Sequence, residues 1–183
     1  MNSLRGHFLV ASKFLADPNF ARAVVLLVQH DESGAFGVVL NRPAESTVEE
    51  LWSQVGESSC ESHRPVYVGG PVPGPLMAIH ADQSQAETEV FPGVYFAAQR
   101  DHLERIVQQD NLPFRLFVQH SGWGGGQLEN ELKEGAWLIA PATAEFVFAE
   151  DHDLWEKVTQ AVGADQLRQV LGVRTLPDNA NLN

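Results

Sequence analysis

The clearest pattern along the chain is a run that is apolar on successive residues, Ala23-Val-Val-Leu-Leu-Val28, continued by Gln29 and His30. It is β-branched and too short for a buried helix, so it predicts a strand. Asp31-Glu-Ser-Gly34 then supplies a turn and Gly37-Val-Val-Leu40 a second strand, together a hairpin that reverses near Gly34. Neither strand alternates apolar with polar positions. Both are therefore expected in the middle of a sheet, covered on two faces.

Downstream, Ser46-Thr-Val-Glu49 matches a capping box and predicts a helix to about Val55, followed by a polar loop over 57–64 that carries Cys60 as a surface thiol. Val66-Tyr-Val68 predicts a short strand. It ends in Gly69-Gly-Pro-Val-Pro-Gly-Pro75, where six of seven residues are Gly or Pro, so a rigid loop with neither helix nor paired strand is expected. Strands follow over 76–80, 93–97, 114–118 and 137–140. Leu103, Ile106 and Val107 recur at helical spacing after Asp101, stopped by Asn111 and Pro113; Leu128 and Leu132 mark a helix over 127–133 with Gly135 as its stop. Asp151 or Asp153 caps a helix carrying Leu154, Trp155, Val158 and Val162, and beyond Gly163 a second short helix covers 165–171. Strands and helices mix without βαβ alternation, and the hairpins imply antiparallel pairing, so the expected class is α+β. One domain over residues 1–176 is expected, with 177–183 a flexible tail.

Composition narrows the function. Hydrophobic residues make up 44% and charged residues 20%, as in a globular protein. Lys and Arg number 12 against 24 Asp and Glu, a net charge of -12, and the basic residues are scattered. Without a basic stripe, direct nucleic-acid binding is disfavoured. A single cysteine excludes an internal disulfide and a multi-cysteine metal cage and suits a reducing cytoplasm. Neither a signal peptide nor a membrane span is expected.

The segment His120-Ser-Gly-Trp-Gly-Gly-Gly-Gln-Leu-Glu129 concentrates the candidate chemistry. It lies between a strand and a helix, where backbone amides can hold an anion, but no Lys-Ser or Lys-Thr follows and the GxGxxG spacing is absent. Ser121 and His120 are candidate catalytic residues for a hydrolase, although the order is not GxSxG and neighbours on a strand face opposite ways. His30, His80 and His120 each end an expected strand and could form a three-imidazole metal site if those ends met. Trp123, flanked by glycines, either anchors the loop in the core or presents an aromatic face to a ligand or partner.

The run Ser-Gly-Trp-Gly-Gly-Gly-Gln-Leu-Glu-Asn-Glu-Leu from Ser121, followed by Gly135-Ala-Trp-Leu-Ile-Ala-Pro-Ala142, resembles the signature of the AlgH/YqgE family of bacterial proteins. Phe8-Leu-Val-Ala11, Asp17-Pro-Asn-Phe20, Val24 to His30, Gly37-Val-Val-Leu-Asn-Arg-Pro43 and Val68-Gly-Gly-Pro71 agree in the same order. The resemblance implies a compact α+β domain on a strongly bent, partly barrel-like mixed or antiparallel sheet flanked by helices. It implies little about function. The family name comes from a proposed part in alginate regulation, members are often labelled transcriptional regulators, and no catalytic or cofactor residues carry over. Gln119-His-Ser121 departs from the more usual small or aromatic residues there.

These readings converge on a non-enzymatic, cytoplasmic regulatory or binding protein without a cofactor, acting through a protein or small-molecule partner. Its expected surface is three loops rich in Gly and Pro, with Asn41, Arg42, Gly69, Gly70, Pro71, Gly122, Trp123, Gly124, Gly126, Gln127 and Glu129 as candidate contacts. A hydrolase using Ser121 or the strand-end histidines is the alternative, and a DNA-binding transcriptional regulator a second one.

Overall fold

The structure, a computed structural model, describes residues 2–56, 58–109, 111–149 and 152–171. In chain order its strands are β1 (His7–Ala11), β2 (Val24–Asp31), β3 (Gly34–Val39), β4 (Pro43–Thr47), β5 (Pro65–Val68), β6 (Met77–His80), β7 (Thr88–Phe91), β8 (Val94–Ala97), β9 (Phe114–Val118), β10 (Ser121–Gly124) and β11 (Trp137–Pro141). The helices are α1 (Val48–Val55), α2 (Arg100–Val107), α3 (Gln127–Lys133), α4 (Ala144–Val147) and α5 (Leu154–Leu171).

The strands form two open sheets instead of one bent sheet. The first, β10-β3-β2-β1-β11, is antiparallel throughout; the second, β4-β5-β9-β6-β8-β7, is mixed, its one parallel pair being β5 with β9. The hairpin β2–β3 lies inside the first sheet, and its successive residues divide between two cores as their apolar pattern requires. Phe8, Val10, Val24, Leu26, Val28 and Val38 face the second sheet and meet Tyr67, Met77, Ile79 and Phe117. Leu9, Val25, Leu27 and Val39 face the other way and are covered by Trp123, Leu128 and Trp137. A third core lies outside the second sheet, where Trp52 of α1 and Leu103, Ile106 and Val107 of α2 cover Val66, Ala78 and Leu116. Val147 of α4 and Leu154, Val158 and Val162 of α5 close the central core, and the Trp155 indole N–H donates to the Ala11 carbonyl at 2.9 Å. The result is a single compact α+β domain.

Several boundaries move from expectation. The capping box is one residue later: Thr47 Oγ1 accepts from the Glu50 N–H at 3.2 Å while the Thr47 N–H donates to Glu50 Oε2 at 2.9 Å. Both registers fit the sequence pattern, and this one puts Val48 and Trp52 into the core four residues apart. The 69–75 loop does pair, since Val72 and His120 exchange backbone hydrogen bonds in an isolated bridge. Cys60 is half-buried, its thiol donating to the Val107 carbonyl at 3.3 Å. Helix α5 runs through Gly163, where no packed neighbour would meet a Cβ, because one glycine costs only about 1 kcal/mol in a helix. Asp151 and the tail from Pro177 lie outside the described residues.

His80 ends β6 in the middle of the second sheet with no solvent exposure, its ring 6.0 Å from Tyr95. Neither imidazole nitrogen makes a hydrogen bond of good geometry. Burial pushes its pKa down from 6.5 to about 4; Asp82 and Glu87 act against that shift and His102 adds to it. A histidine with a depressed folded pKa binds its proton more readily when unfolded, so its contribution to stability is lost as pH falls from 6.5 towards 4. In urea unfolding, the wild type is expected to lose on the order of 2–3 kcal/mol more than His80→Leu across that window. Equal losses in both proteins would show that His80 is not the group responsible.

Candidate functional site

The signature segment is not a turn. Ser121–Gly124 is an edge strand of the first sheet, paired in register with Gly34 to Gly37 of β3. The approach is too close for a side chain at position 34: a Cβ on Gly34, whose φ is +141°, would sit 2.1 Å from the Trp123 carbonyl oxygen. Strand alternation then sends Ser121 and Trp123 inward and leaves Gly122 and Gly124 exposed.

Trp123 is therefore a core residue and not the ligand contact expected of it. It is 5% exposed, stacks on Phe20 at 6.0 Å and meets Trp137 edge-on at 6.0 Å. Glu131 Oε2 accepts from the indole N–H of Trp123 at 2.9 Å and from that of Trp137 at 2.8 Å. Gln127 completes the unit, accepting from the Gly124 N–H at 3.1 Å and donating to Glu131 Oε1 at 3.0 Å. Glu129 is also engaged. It accepts from His30 Nε2 at 2.8 Å, while His30 Nδ1 accepts from the Leu4 N–H at 2.9 Å, which fixes the proton on Nε2. Its own backbone N–H and then His30 hold the Glu129 carboxyl below the usual range. Gly126 starts α3 with φ +78°, and the structure offers no steric reason for glycine at 122 or 124.

The hydrolase candidates are likewise structural. Ser121 has no solvent exposure, and its hydroxyl donates to the Gly69 carbonyl at 2.9 Å. The His120 ring packs 5.1 Å from Phe36, and a Cβ on Gly74 would come within 2.8 Å of its Nδ1. His30, His80 and His120 do not meet: among the described residues no three His, Cys, Asp or Glu side chains form a metal-binding group.

The remaining candidates do come together, at the seam between the sheets. The strand path passes from one sheet to the other at residues 40–42, between β3 and β4, and at residues 119–120, between β9 and β10. The end of β5 runs beside both links. Val68 N–H donates to the Arg42 carbonyl at 2.8 Å, Gly69 N–H to Val118 at 2.9 Å, and Val39 N–H to Gly69 at 2.9 Å. Gly69 and Gly70 permit this approach, since a Cβ on Gly69 would lie 2.5 Å from the Gln119 oxygen and one on Gly70 would lie 2.3 Å from the His120 oxygen. Asn41 is a clamp, not a free contact: its amide donates to the Arg22 carbonyl at 2.8 Å and accepts from the Val24 N–H at 3.0 Å.

Two clefts flank this seam and share Arg42 and Pro43. One, of about 320 Å³, is lined also by Asn19, Val68, Gly70, Pro71 and Gln119. The other, of about 330 Å³, is lined by Ala21, Arg22, Asn41, Trp155 and Glu156 among others. Arg22, at φ +55°, and Gln119, at φ +60°, are the two non-glycine residues with positive φ among the described residues, and one lines each cleft. No residue type announces either of them in the sequence, because left-handed backbone favours Gly and Asn and here falls on Arg and Gln. Arg42 itself is half-buried, with Nη1 donating to the Asn41 carbonyl at 3.2 Å and Nη2 to the Ala21 carbonyl. Burial lowers its pKa from the ordinary arginine value.

Two open sheets flanked by helices in one α+β domain define a fold with known relatives. The AlgH-like family model matches residues 8–167, and the chain belongs to that family. A UPF0301 protein of Myxococcus xanthus is 37% identical over 177 residues, covering 94% of this chain and 98% of the relative. One from Xanthomonas campestris is 40% identical over 173 residues, covering 90% and 92%. The solution structure of the AlgH protein from Pseudomonas aeruginosa superposes with a TM-score of 0.76 at 28% identity, covering 97% of each chain. A crystal structure of a Corynebacterium diphtheriae protein does so at 0.69 and 25% identity, covering 88% of this chain and 87% of that one. No described helix is long and apolar enough to cross a membrane.

The assignment of the signature to packing has a direct consequence. Trp123→Ala is expected to cost about 3–5 kcal/mol. Glu131→Ala, which leaves two indole N–H groups without an acceptor, should cost about 1–3 kcal/mol for each. Gln127→Ala, at an exposed position, should cost no more than about 1 kcal/mol. Chemical denaturation measures all three, and a Trp123→Ala protein of wild-type stability would restore an external role for this residue.

Proposed function

We propose that this protein is a non-enzymatic binding protein whose ligand occupies the seam clefts around Arg42, and that its regulatory effect comes from that binding in a cytoplasmic setting. The observation that carries the reading is the placement of Arg22 and Gln119, the two non-glycine residues in left-handed backbone, one on each side of a half-buried guanidinium. Such backbone costs about 1–2 kcal/mol per residue, and strain of this kind collects at functional sites. The 41–43 link and the start of the Gly- and Pro-rich 69–75 loop meet at the same place, which supports a preformed surface for a ligand. The half-buried Cys60 thiol suits a reducing compartment. Against catalysis by Ser121 stands its complete burial.

Two substitutions at one position test the reading. Gln119→Gly relieves the strain and should raise stability by up to about 1 kcal/mol, whereas Gln119→Ala keeps the strain and should not. Both should weaken small fragments that perturb the amide resonances of Arg42, Gly70 and Gln119 in a heteronuclear NMR screen. Fragments that gather elsewhere, or a Gln119→Gly protein less stable than wild type, would count against a strained binding cleft.

A further inference from the structure

Resting on the cleft reading above, we propose that Arg42 receives a single carboxylate carried on a small apolar group. The first support is charge. In a chain of net charge -12, Arg42 forms no ion pair with any acidic side chain among the described residues, although acidic residues outnumber basic ones two to one. A guanidinium held half out of water without a counter-charge is an unfavourable arrangement that an anion relieves.

The second support is anchoring. Two of the five guanidinium donors are fixed on the Asn41 and Ala21 carbonyls, which leaves Nε–H and one N–H on each terminal nitrogen for a further acceptor such as a carboxylate. The same two bonds remove rotamer freedom before any ligand arrives, so little ordering is left to oppose binding.

The third support is the balance of the lining. Arg22, on the far side of Arg42, is paired with Glu156, so that pair adds no net charge, and Arg42 remains the uncompensated cation where the clefts join. One positive charge in an acidic protein suits a monoanion; a phosphate dianion would keep an excess negative charge in a repulsive field. Beside Arg42, Val68, Pro43 and Pro71 offer apolar surface, while Gln119 and Asn19 supply amide groups able to hydrogen-bond a neighbouring polar atom. At about 320 Å³ the cleft is at the small end of ligand sites, enough for a short branched acid or the last residue of a peptide.

The test uses the full chain, labelled with nitrogen-15, and follows the Arg42, Gly70 and Gln119 amides during titration with N-acetylvaline, with its uncharged amide, and with a pentapeptide ending in a free valine carboxylate. N-acetylvaline is expected to shift these amides saturably, and the uncharged amide to bind weaker by about tenfold or more. Arg42→Gln should weaken the acid by a similar factor. Gln119→Glu, which puts a negative charge into the same cleft without touching the guanidinium anchors, should weaken the acid but not the amide, so the inference does not depend on Arg42→Gln folding. A pentapeptide that binds about tenfold tighter than N-acetylvaline assigns the site to chain ends; equal affinity assigns it to free small acids. If the uncharged amide binds as well as the acid, the carboxylate inference falls and the cleft stands. If none of the probes shifts these amides at millimolar concentration, both fall.

Discussion

A strand pair with long runs of successive apolar residues has to be buried on both faces along those runs, and the rest of this molecule is arranged to satisfy that demand on β2 and β3. One face is covered by the second sheet through Tyr67, Met77, Ile79 and Phe117. The other is closed by Phe20, Trp123, Leu128 and Trp137. Covering a sheet with indoles brings their N–H groups into the core, where each needs an acceptor. Glu131 answers both indoles with one oxygen, and Gln127 holds its other oxygen. The most recognisable stretch of the sequence is therefore one packing unit, running from the β10 edge through the first turns of α3.

The same demand explains which elements were legible in advance. β2, β9 and α3 follow from local pattern alone, and Gly135 stops α3 with φ +74° as a C-terminal glycine should. β10 did not, because four residues that include two glycines carry no strand propensity; the strand exists because Gly34 lets a second backbone close in on β3. The bridge between Val72 and His120 has a similar origin, a tertiary approach permitted by Gly69 and Gly70. The split at Gly163 failed for a different reason, since a helix already anchored by Leu154, Val158 and Val162 tolerates one poor residue.

The site was half legible. Loops rich in Gly and Pro drew attention to Arg42, Gly70 and Pro71, which line one cleft, but the same reasoning attached Trp123, Gln127 and Glu129 to a ligand when their polar groups already have partners within the protein. Gln119 and Arg22 were invisible, because their distinguishing property is backbone conformation. The corner at Gln119 turns the chain from the second sheet into the first within two residues, and a left-handed residue is what so short a link demands. Glycine would serve the turn more cheaply, so the carboxamide side chain has to be explained by something other than the fold.

That asymmetry separates two kinds of position in this chain. Where a polar or aromatic group is fully engaged inside the protein, as for Trp123, Glu131, Ser121 and His30, its identity reports how the sheets are covered. Where a group is held in place but its charge stays unanswered, as for Arg42, or where a side chain sits on backbone it does not favour, as for Gln119, the fold alone leaves the residue unexplained. Both residues line the same one of the two clefts at the seam where the chain passes between its sheets. A seam is also the one region of a two-sheet protein where backbone from both layers reaches the surface together, so it can present fixed carbonyls, a clamped guanidinium and apolar strand ends to the same ligand without any loop having to move.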